Sequence, residues 1–172
     1  MRAIVVYESH WGNTEAVARA IGEGIGPETA VLTTDAATPA VLAEADLVVA
    51  GAPTMAFRLP TEAMLKHVAD DPKAPSPGDL SHPSMRTWLD ELPGEPARPL
   101  RRSEAAFETA LHWSPGGAKG TIDTALKRLG YRRAAKPMRF LVEGSYGPLR
   151  EGELDRARAW GASLVGAATN AA

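Results

Sequence analysis

The residues best suited to chemistry in this sequence form a short loop at positions 9–14. The loop reads Ser9-His10-Trp11-Gly12-Asn13-Thr14 and lies between a predicted strand and a predicted helix. The first N–H groups of a helix have no partner within it, and the helix dipole is positive at that end, so the two together bind phosphate. Gly12 allows close approach of the backbone to an anion, and the loop's hydroxyl and amide groups can donate hydrogen bonds. The local chemistry predicts a phosphate site, with an ordinary capped turn as the alternative.

Five predicted strands, alternating with helices, would position this loop. Short apolar runs are typical of strands buried on both faces, and they occur at Ala3–Tyr7, which is rich in β-branched residues, and at Leu47–Gly51. Further strands are predicted at Ala30–Thr33, Glu104–Thr109 and Met138–Val142. Apolar stripes at helical spacing predict helices over Thr14–Ile25, from Pro60 to Val68, over Met85–Leu92, after Ala118 and near the C-terminus. The alternation predicts a doubly wound α/β fold with a five-stranded parallel sheet and helices on both faces, as one domain spanning residues 1–172.

Two helix details carry specific expectations. Gly26, followed by Pro27, is expected to end the first long helix as a left-handed cap. Leu154 is expected on the inner side of the last helix, together with Ala157 and Leu164.

Sites on parallel sheets form in the loops after the carboxyl ends of the strands, and this rule selects two further loops. The second loop, residues 52–58, contains Pro53, Thr54, Met55 and Phe57. The third loop, residues 110–117, follows Thr109 and contains His112, Trp113, Gly116 and Gly117. Methionine and aromatic side chains suit a flat aromatic ligand. The same side chains could instead fill core space beneath their loops, and the local sequence leaves both interpretations open.

Three segments resemble the flavodoxin-like family in their order and spacing. They are Y-E-S-H-W-G-N-T-E, G-A-P-T-M-A-F and T-A-L-H-W-S-P-G-G, which follow the first, third and fourth predicted strands. The resemblance implies that the first loop wraps the phosphate of FMN and that the other two loops flank its isoalloxazine ring. Trp11 departs from the serine or threonine of many members, whereas some quinone-reducing members carry an aromatic residue there.

The resemblance therefore implies a set of FMN-binding residues, with no metal. The set comprises Ser9, His10, Trp11, Gly12, Asn13, Thr14, Pro53, Thr54, Met55, Phe57, Thr109, His112, Trp113, Gly116 and Gly117. Ser9, Gly12 and Thr14 match the family's phosphate motif, and Trp113 is placed to stack on the ring. No catalytic side chain is identified.

An insertion at about residues 58–83 separates the second loop from the next helix that matches the family. Loops of this length in a compact domain are usually functional or mobile. The insertion either covers the flavin and shapes a substrate pocket, or forms a dimer contact through Met64, Leu65 and Val68. The sequence leaves both alternatives, and with them the oligomeric state, open.

The implied function is that of an FMN-dependent oxidoreductase or electron-transfer protein. Reduction of quinones or similar acceptors with NAD(P)H is one form, and electron exchange with a redox partner protein is another. A net charge of -2 fits a pure electron carrier poorly, because such carriers normally present a strong negative field. The alternative is a non-catalytic interaction or regulatory module with this fold that has lost tight flavin binding.

Composition argues against several other classes. The chain has no cysteine, so it has no disulfide, thiol nucleophile or Cys-ligated metal, and its four histidines lack metal-ligand spacing. The nearly balanced charge indicates neither a nucleic-acid nor a membrane partner. The absence of a membrane-length apolar run and of a signal-peptide pattern predicts a cytoplasmic protein.

Overall fold

The computed structural model describes residues 1–93 and 102–169, with the backbone alone at Thr169. The strands are β1 (Ala3–Tyr7), β2 (Ala30–Thr33), β3 (Leu47–Pro53), β4 (Ser103–Leu111), β5 (Arg132–Arg133) and β6 (Met138–Val142). The helices are α1 (Asn13–Ile25), α2 (Pro39–Leu42), α3 (Glu62–Ala69), α4 (Met85–Glu91), α5 (Lys119–Arg128) and α6 (Glu153–Thr169). Within the described ranges, no helix has the length and apolar character needed to cross a membrane.

The strands form one parallel sheet in the order β2-β1-β3-β4, and both β5 and β6 pair with the outer edge of β4. β5 pairs with Ser103 and Glu104, whereas β6 pairs with residues Phe107 to Leu111. β5 and β6 therefore lie one after the other along the same edge of β4, and together they form the fifth strand position of the sheet. This order confirms the predicted doubly wound α/β fold of flavodoxin-like topology. The two-residue strand β5 was not predicted.

Helices cover both faces of the sheet because alternate residues of each strand point to opposite sides. Ile4 and Val6 pack on the side covered by α2, α4 and α5. Val5 and Tyr7 pack on the other side, against α1 and α6. Since both sides of β1 are covered, its five residues are all buried, as its continuous apolar run predicts.

Three helix details differ from the sequence prediction. α3 begins at Glu62 rather than Pro60, because Thr61 is extended and its hydroxyl accepts a hydrogen bond from the Met64 N–H. Gly26 ends α1 at φ 145° and ψ 167°, which is a positive-φ extended conformation and not the expected left-handed cap. Leu154 is 36% exposed, contrary to its expected inner position, whereas Trp160 of the same helix is buried.

Candidate functional site

A cavity of about 390 Å³ opens at the carboxyl ends of the strands. It lies beside the point where the strand order reverses between β1 and β3, where doubly wound sheets bind ligands. Its lining includes eleven of the predicted residues: Ser9, His10, Trp11, Asn13, Thr14, Pro53, Thr54, Met55, Phe57, Thr109 and Trp113. The structure therefore brings the three predicted loops together around one space.

The first loop meets α1 at Gly12, the N-cap residue, which has a left-handed backbone with φ 84° and ψ -12°. Since glycine has no side chain, no side-chain cap satisfies the first N–H groups of the helix. Ser9 is 5% exposed, and its Oγ has no hydrogen-bond partner among the described residues. An unpaired buried polar group costs about 1–3 kcal/mol. A phosphate at this helix end would satisfy both kinds of donor.

Two more polar contacts shape the same end of the cavity. The hydroxyl oxygens of Thr14 and Thr109 lie 2.7 Å apart, and both residues are buried. One hydroxyl donates to the other, so one hydroxyl hydrogen of the pair stays available to a ligand. Asn13 donates its side-chain amide to the Tyr146 carbonyl at 2.9 Å, and that bond ties the first loop to the loop after β6.

The second loop ends in a tight turn that presents an aromatic ring. Ala56 and Phe57 have positive φ values of 42° and 67°, between reciprocal backbone hydrogen bonds that join Met55 and Arg58 at 3.0 and 3.1 Å. Such backbone conformations cost non-glycine residues on the order of 1–3 kcal/mol each and cluster at functional sites. The turn directs Phe57 to the cavity rim.

Phe57 and Trp113 form an exposed aromatic pair on that rim. Their ring centroids lie 5.8 Å apart in an edge-to-face arrangement. Phe57 is 47% exposed and Trp113 is 57% exposed, although large aromatic side chains normally bury most of their area. These two rings therefore do not fill core space beneath their loops, and their surfaces are available to a flat apolar ligand.

Beneath the second and third loops lies a fully buried carboxylate, Glu108 of β4. It accepts hydrogen bonds from the Thr54 hydroxyl at 3.0 Å, from the backbone N–H and Nζ of Lys119 at 3.0 and 2.9 Å, and from Arg139 Nε at 2.6 Å. Burial tends to raise the pKa of Glu108, but the bonds from Lys119 and Arg139 lower it below its ordinary value. Arg139 also donates to the Ser114 carbonyl at 2.7 Å. The ionised Glu108 carboxylate, through its bonds with Thr54 and Arg139, therefore links the second and third loops.

Four of the predicted residues do not line the cavity, namely Gly12, His112, Gly116 and Gly117. His112 accepts a hydrogen bond from Arg150 through Nδ1 at 3.1 Å. A Cβ atom on Gly116 would lie 2.1 Å from the Phe57 carbonyl oxygen, and one on Gly117 would lie 2.0 Å from Glu108 Oε2. Both glycines thus allow the third loop to pass closely over Phe57 and Glu108, and their contact with a flavin stays a prediction.

A fourth loop, residues 143–148, follows β6 and was not predicted from the sequence. Gly144, Ser145 and Tyr146 of this loop line the cavity, and the Tyr146 ring contacts Trp11 edge to face at 4.9 Å. This loop follows the carboxyl end of a predicted strand. The rule that selected the other three loops would also have selected this one.

The part of the insertion at residues 70–83, here called the strap, lies against the first loop. His10 Nδ1 donates to the Asp79 carbonyl at 2.9 Å, and the Asp79 N–H returns a bond to the His10 carbonyl at 2.9 Å. Trp11 Nε1 donates to the Ser76 carbonyl at 3.1 Å. The Tyr146 hydroxyl donates to Asp71, which lines the cavity, at 2.7 Å. These contacts support the interpretation of the insertion as a cover for the site.

The alternative interpretation, a dimer contact through Met64, Leu65 and Val68, is wrong for two of its three residues. Leu65 is 7% exposed and Val68 is 2% exposed within this chain, so neither side chain is available to a partner. Val68 packs closely on the strap, since a Cβ atom on Gly78 would lie 2.3 Å from Val68 Cγ1. The apolar face of α3 therefore holds the insertion on its own domain.

Among the residues that the structure describes, no lysine or arginine lines the cavity, and the lining contains one carboxylate, Asp71, and one histidine, His10. Burial lowers the pKa of His10, but hydrogen bonds to Glu8 and to the Asp79 carbonyl raise it, and the net pKa is above its ordinary value. In residues 1–93 and 102–169, no three His, Asp or Glu side chains cluster closely enough to hold a metal ion. An anion in this cavity would be held by neutral donors and the N-terminus of α1.

Comparison with known proteins identifies the fold. No protein-family model and no curated protein matches the sequence. Solved structures do match over nearly the whole chain. A flavodoxin from the domain Archaea is 24% identical with a TM-score of 0.66, and the alignment covers 98% of this chain and 99% of that one.

Two further structures show the same likeness. A flavodoxin from Streptococcus pneumonia TIGR4 is 13% identical with a TM-score of 0.67, covering 96% of this chain and 99% of its own. A flavodoxin, WrbA-like protein from Agrobacterium tumefaciens is 20% identical with a TM-score of 0.61, covering 99% of both chains. The chain therefore has the flavodoxin-like fold.

Proposed function

We propose that this protein binds FMN in the cavity and acts as a flavin-dependent electron-transfer protein. The observation that carries the proposal is the arrangement of one cavity of about 390 Å³. At one end, the buried Ser9 hydroxyl, beside the uncapped N-terminus of α1, has no partner within the ranges that the structure describes. On the rim stand the exposed rings of Phe57 and Trp113. A ligand with a phosphate and a flat aromatic ring system satisfies both.

The chain's own residues would bind and orient this ligand. Ser9, one hydroxyl of the Thr14–Thr109 pair and the first N–H groups of α1 would hold the phosphate. Met55, Phe57 and Trp113 would contact the ring system. When bound, FMN supplies reversible electron transfer, which none of these side chains can perform alone. Glu108 would keep the second and third loops in register around it.

A more specific form of the proposal is reduction of quinones or similar acceptors with NAD(P)H. The exposed aromatic rim supports direct access of a flat donor or acceptor to the ring system, without a partner protein. A redox partner protein is the second candidate for the electron donor or acceptor. We also propose that the protein is cytoplasmic.

The first experiment is the visible spectrum of the purified protein, recorded before and after addition of FMN and desalting. We expect a retained flavin band and saturable quenching of FMN fluorescence. A colourless protein that neither retains nor quenches FMN would contradict the proposal and favour a non-catalytic interaction module. Bleaching of the band by NADH or NADPH, and its recovery with a quinone, then tests the specific form.

A further inference from the structure

Beside the first loop lie two buried titratable side chains that electron transfer does not use. Glu8 is 1% exposed and His10 is 6% exposed. His10 Nε2 lies 3.1 Å from Glu8 Oε1, and neither atom has any other hydrogen-bond partner in the described part of the chain. The second oxygen of Glu8 accepts a bond from the Met85 N–H at 2.8 Å, at the start of α4. Glu8 Oε1 and His10 Nε2 therefore either form a hydrogen bond with each other or remain unpaired.

The hydrogen bonds determine how many protons this pair holds. His10 Nδ1 faces a carbonyl oxygen at 2.9 Å, so Nδ1 must carry a hydrogen. A neutral ring then has a lone pair at Nε2, which would face a lone pair of an ionised Glu8. One proton between the two atoms removes this repulsion, either on the ring or on the carboxyl group. The geometry therefore favours one shared proton.

We propose that the proton shared by Glu8 and His10 controls the affinity of the first loop for a phosphate dianion. This inference rests on the proposed function, because the phosphate is that of FMN. With the proton, the pair carries no net charge. Without it, the pair carries one negative charge in a buried site next to the loop, where like charges repel strongly. By linkage, a bound phosphate dianion also makes the pair hold its proton more tightly.

The surrounding charges do not mask this effect. Asp79 of the strap faces His10 and in turn lies near His82, and the Asp79 carboxylate accepts a bond from the Ser81 N–H at 2.8 Å. Asp71 adds a further negative charge on the cavity lining. Within residues 1–93 and 102–169, no lysine or arginine lines the cavity. Because the protonated Glu8–His10 pair carries no net charge, it adds no further negative charge around a bound phosphate. His10 supplies the basic nitrogen of the pair.

The test compares the dissociation constants of FMN and riboflavin between pH 7 and pH 9, by quenching of flavin fluorescence. Riboflavin lacks the phosphate, and the phosphate of FMN stays largely dianionic in this range because its second pKa is about 6. We expect the Kd of FMN to rise by up to about tenfold per pH unit above the midpoint of the pair. The Kd of riboflavin should stay constant.

Two variants separate the states of the pair. Glu8→Gln leaves it neutral throughout this range, so the Kd of FMN should stay at the low-pH value of the wild type. His10→Gln removes the ring that shares the proton, so the Kd of FMN should lose the pH dependence of the wild type. His67→Gln, at an exposed position of α3, is the matched control and should keep the wild-type pH dependence.

A second readout needs no substitution. The NMR titration midpoint of the His10 ring should move to higher pH when FMN binds and should not move with riboflavin. Equal pH dependence for FMN and riboflavin, an unmoved His10 midpoint or a Glu8→Gln protein that keeps the pH dependence would overturn the inference while leaving the proposed function intact. Failure of both flavins to bind at every pH would contradict the inference and the proposed function together.

Discussion

Two glutamates on β4 show how differently the two ends of the sheet are built. Glu104 and Glu108 lie four residues apart, hence on the same face of the strand, and both are fully buried. Each stands opposite an arginine on the neighbouring strand, Arg133 for Glu104 and Arg139 for Glu108. Arg139 donates to its glutamate, whereas Arg133 donates to Asp123 instead.

The consequences for charge are opposite. Glu108, at the carboxyl end, keeps an ionised carboxylate that joins the loops around the cavity. In residues 1–93 and 102–169, neither carboxyl oxygen of Glu104 has a hydrogen-bond partner. Burial, with the nearby Asp123 carboxylate, raises the pKa of Glu104 to about 8. A buried carboxylate thus organises a site where donors converge on it, and becomes a protonated, pH-sensitive group where they do not.

The largest effect is expected for Glu108→Gln. This change removes the negative charge that forms ion pairs with Lys119 and Arg139. Removal of one partner from a buried ion pair typically costs about 3–5 kcal/mol. We expect the free energy of unfolding in urea to fall by several kcal/mol. The Kd of FMN should rise at least about tenfold, since both ring-side loops lose their common anchor. A variant with wild-type stability would show that the carboxyl end is not organised by this charge.

Glu104→Gln is the matched variant at the other end of β4, and its expected effect has the opposite sign. The folded protein retains a proton on Glu104 that the unfolded chain loses above pH 4.5. Stability therefore falls as pH rises from 4.5 to about 8 in the wild type, by an amount on the order of a few kcal/mol. Glutamine does not titrate, so the variant should be more stable than the wild type at pH 8. Urea titrations at pH 5 and pH 8 measure this difference.

The lowered pKa of Glu108 determines how the stability of the protein changes at acid pH. Because its folded pKa is lowered, its contribution to stability is present above pH 4.5 and is lost as pH falls through the folded value. The two glutamates together should place the stability maximum on the acidic side of neutrality. A wild-type stability that is flat from pH 5 to pH 8 would contradict the assignment for Glu104.

The sequence predicts the sheet and three of the loops, but it does not distinguish these two glutamates. Apolar β-branched runs such as Ala3–Tyr7 carry their own signal, and the carboxyl-end rule then locates the loops. Glu104 and Glu108 have similar local sequence. Their difference comes from Thr54, Lys119 and Arg139, which reach Glu108 from three separate elements.

The strap contacts were unpredictable for the same reason. The backbone of Asp79 meets His10, and the carboxylate of Asp71 meets Tyr146 across 75 positions of sequence. No local pattern encodes such pairings. The fourth loop is a different case, because its position after a predicted strand would have been enough to predict it.

Asp123→Asn sharpens the contrast with a smaller expected effect. Asp123 holds Arg133 and lies 3.2 Å from Lys127, and its negative charge helps to raise the pKa of Glu104. Removal of that charge should bring the pKa of Glu104 down from about 8 and leave Arg133 free to approach it. The loss of stability between pH 5 and pH 8 should therefore become smaller than in the wild type. An unchanged pH profile would mean that burial alone sets the protonation of Glu104.

Ser9→Ala is expected to have the smallest effect on stability, and it tests whether the carboxyl end is built for a ligand. The Ser9 hydroxyl is buried and no described residue pairs with it, so alanine should leave the ligand-free protein equally stable or stabilise it by about 1 kcal/mol. If the hydroxyl donates to a phosphate, the same change should weaken FMN binding by roughly tenfold. The Kd of riboflavin, which has no phosphate, should not change. A gain in stability together with a loss of FMN affinity would show that this end carries an unsatisfied donor that its ligand completes. Loss of stability with unchanged FMN affinity would instead make Ser9 a structural residue, and the phosphate would then lie elsewhere in the cavity.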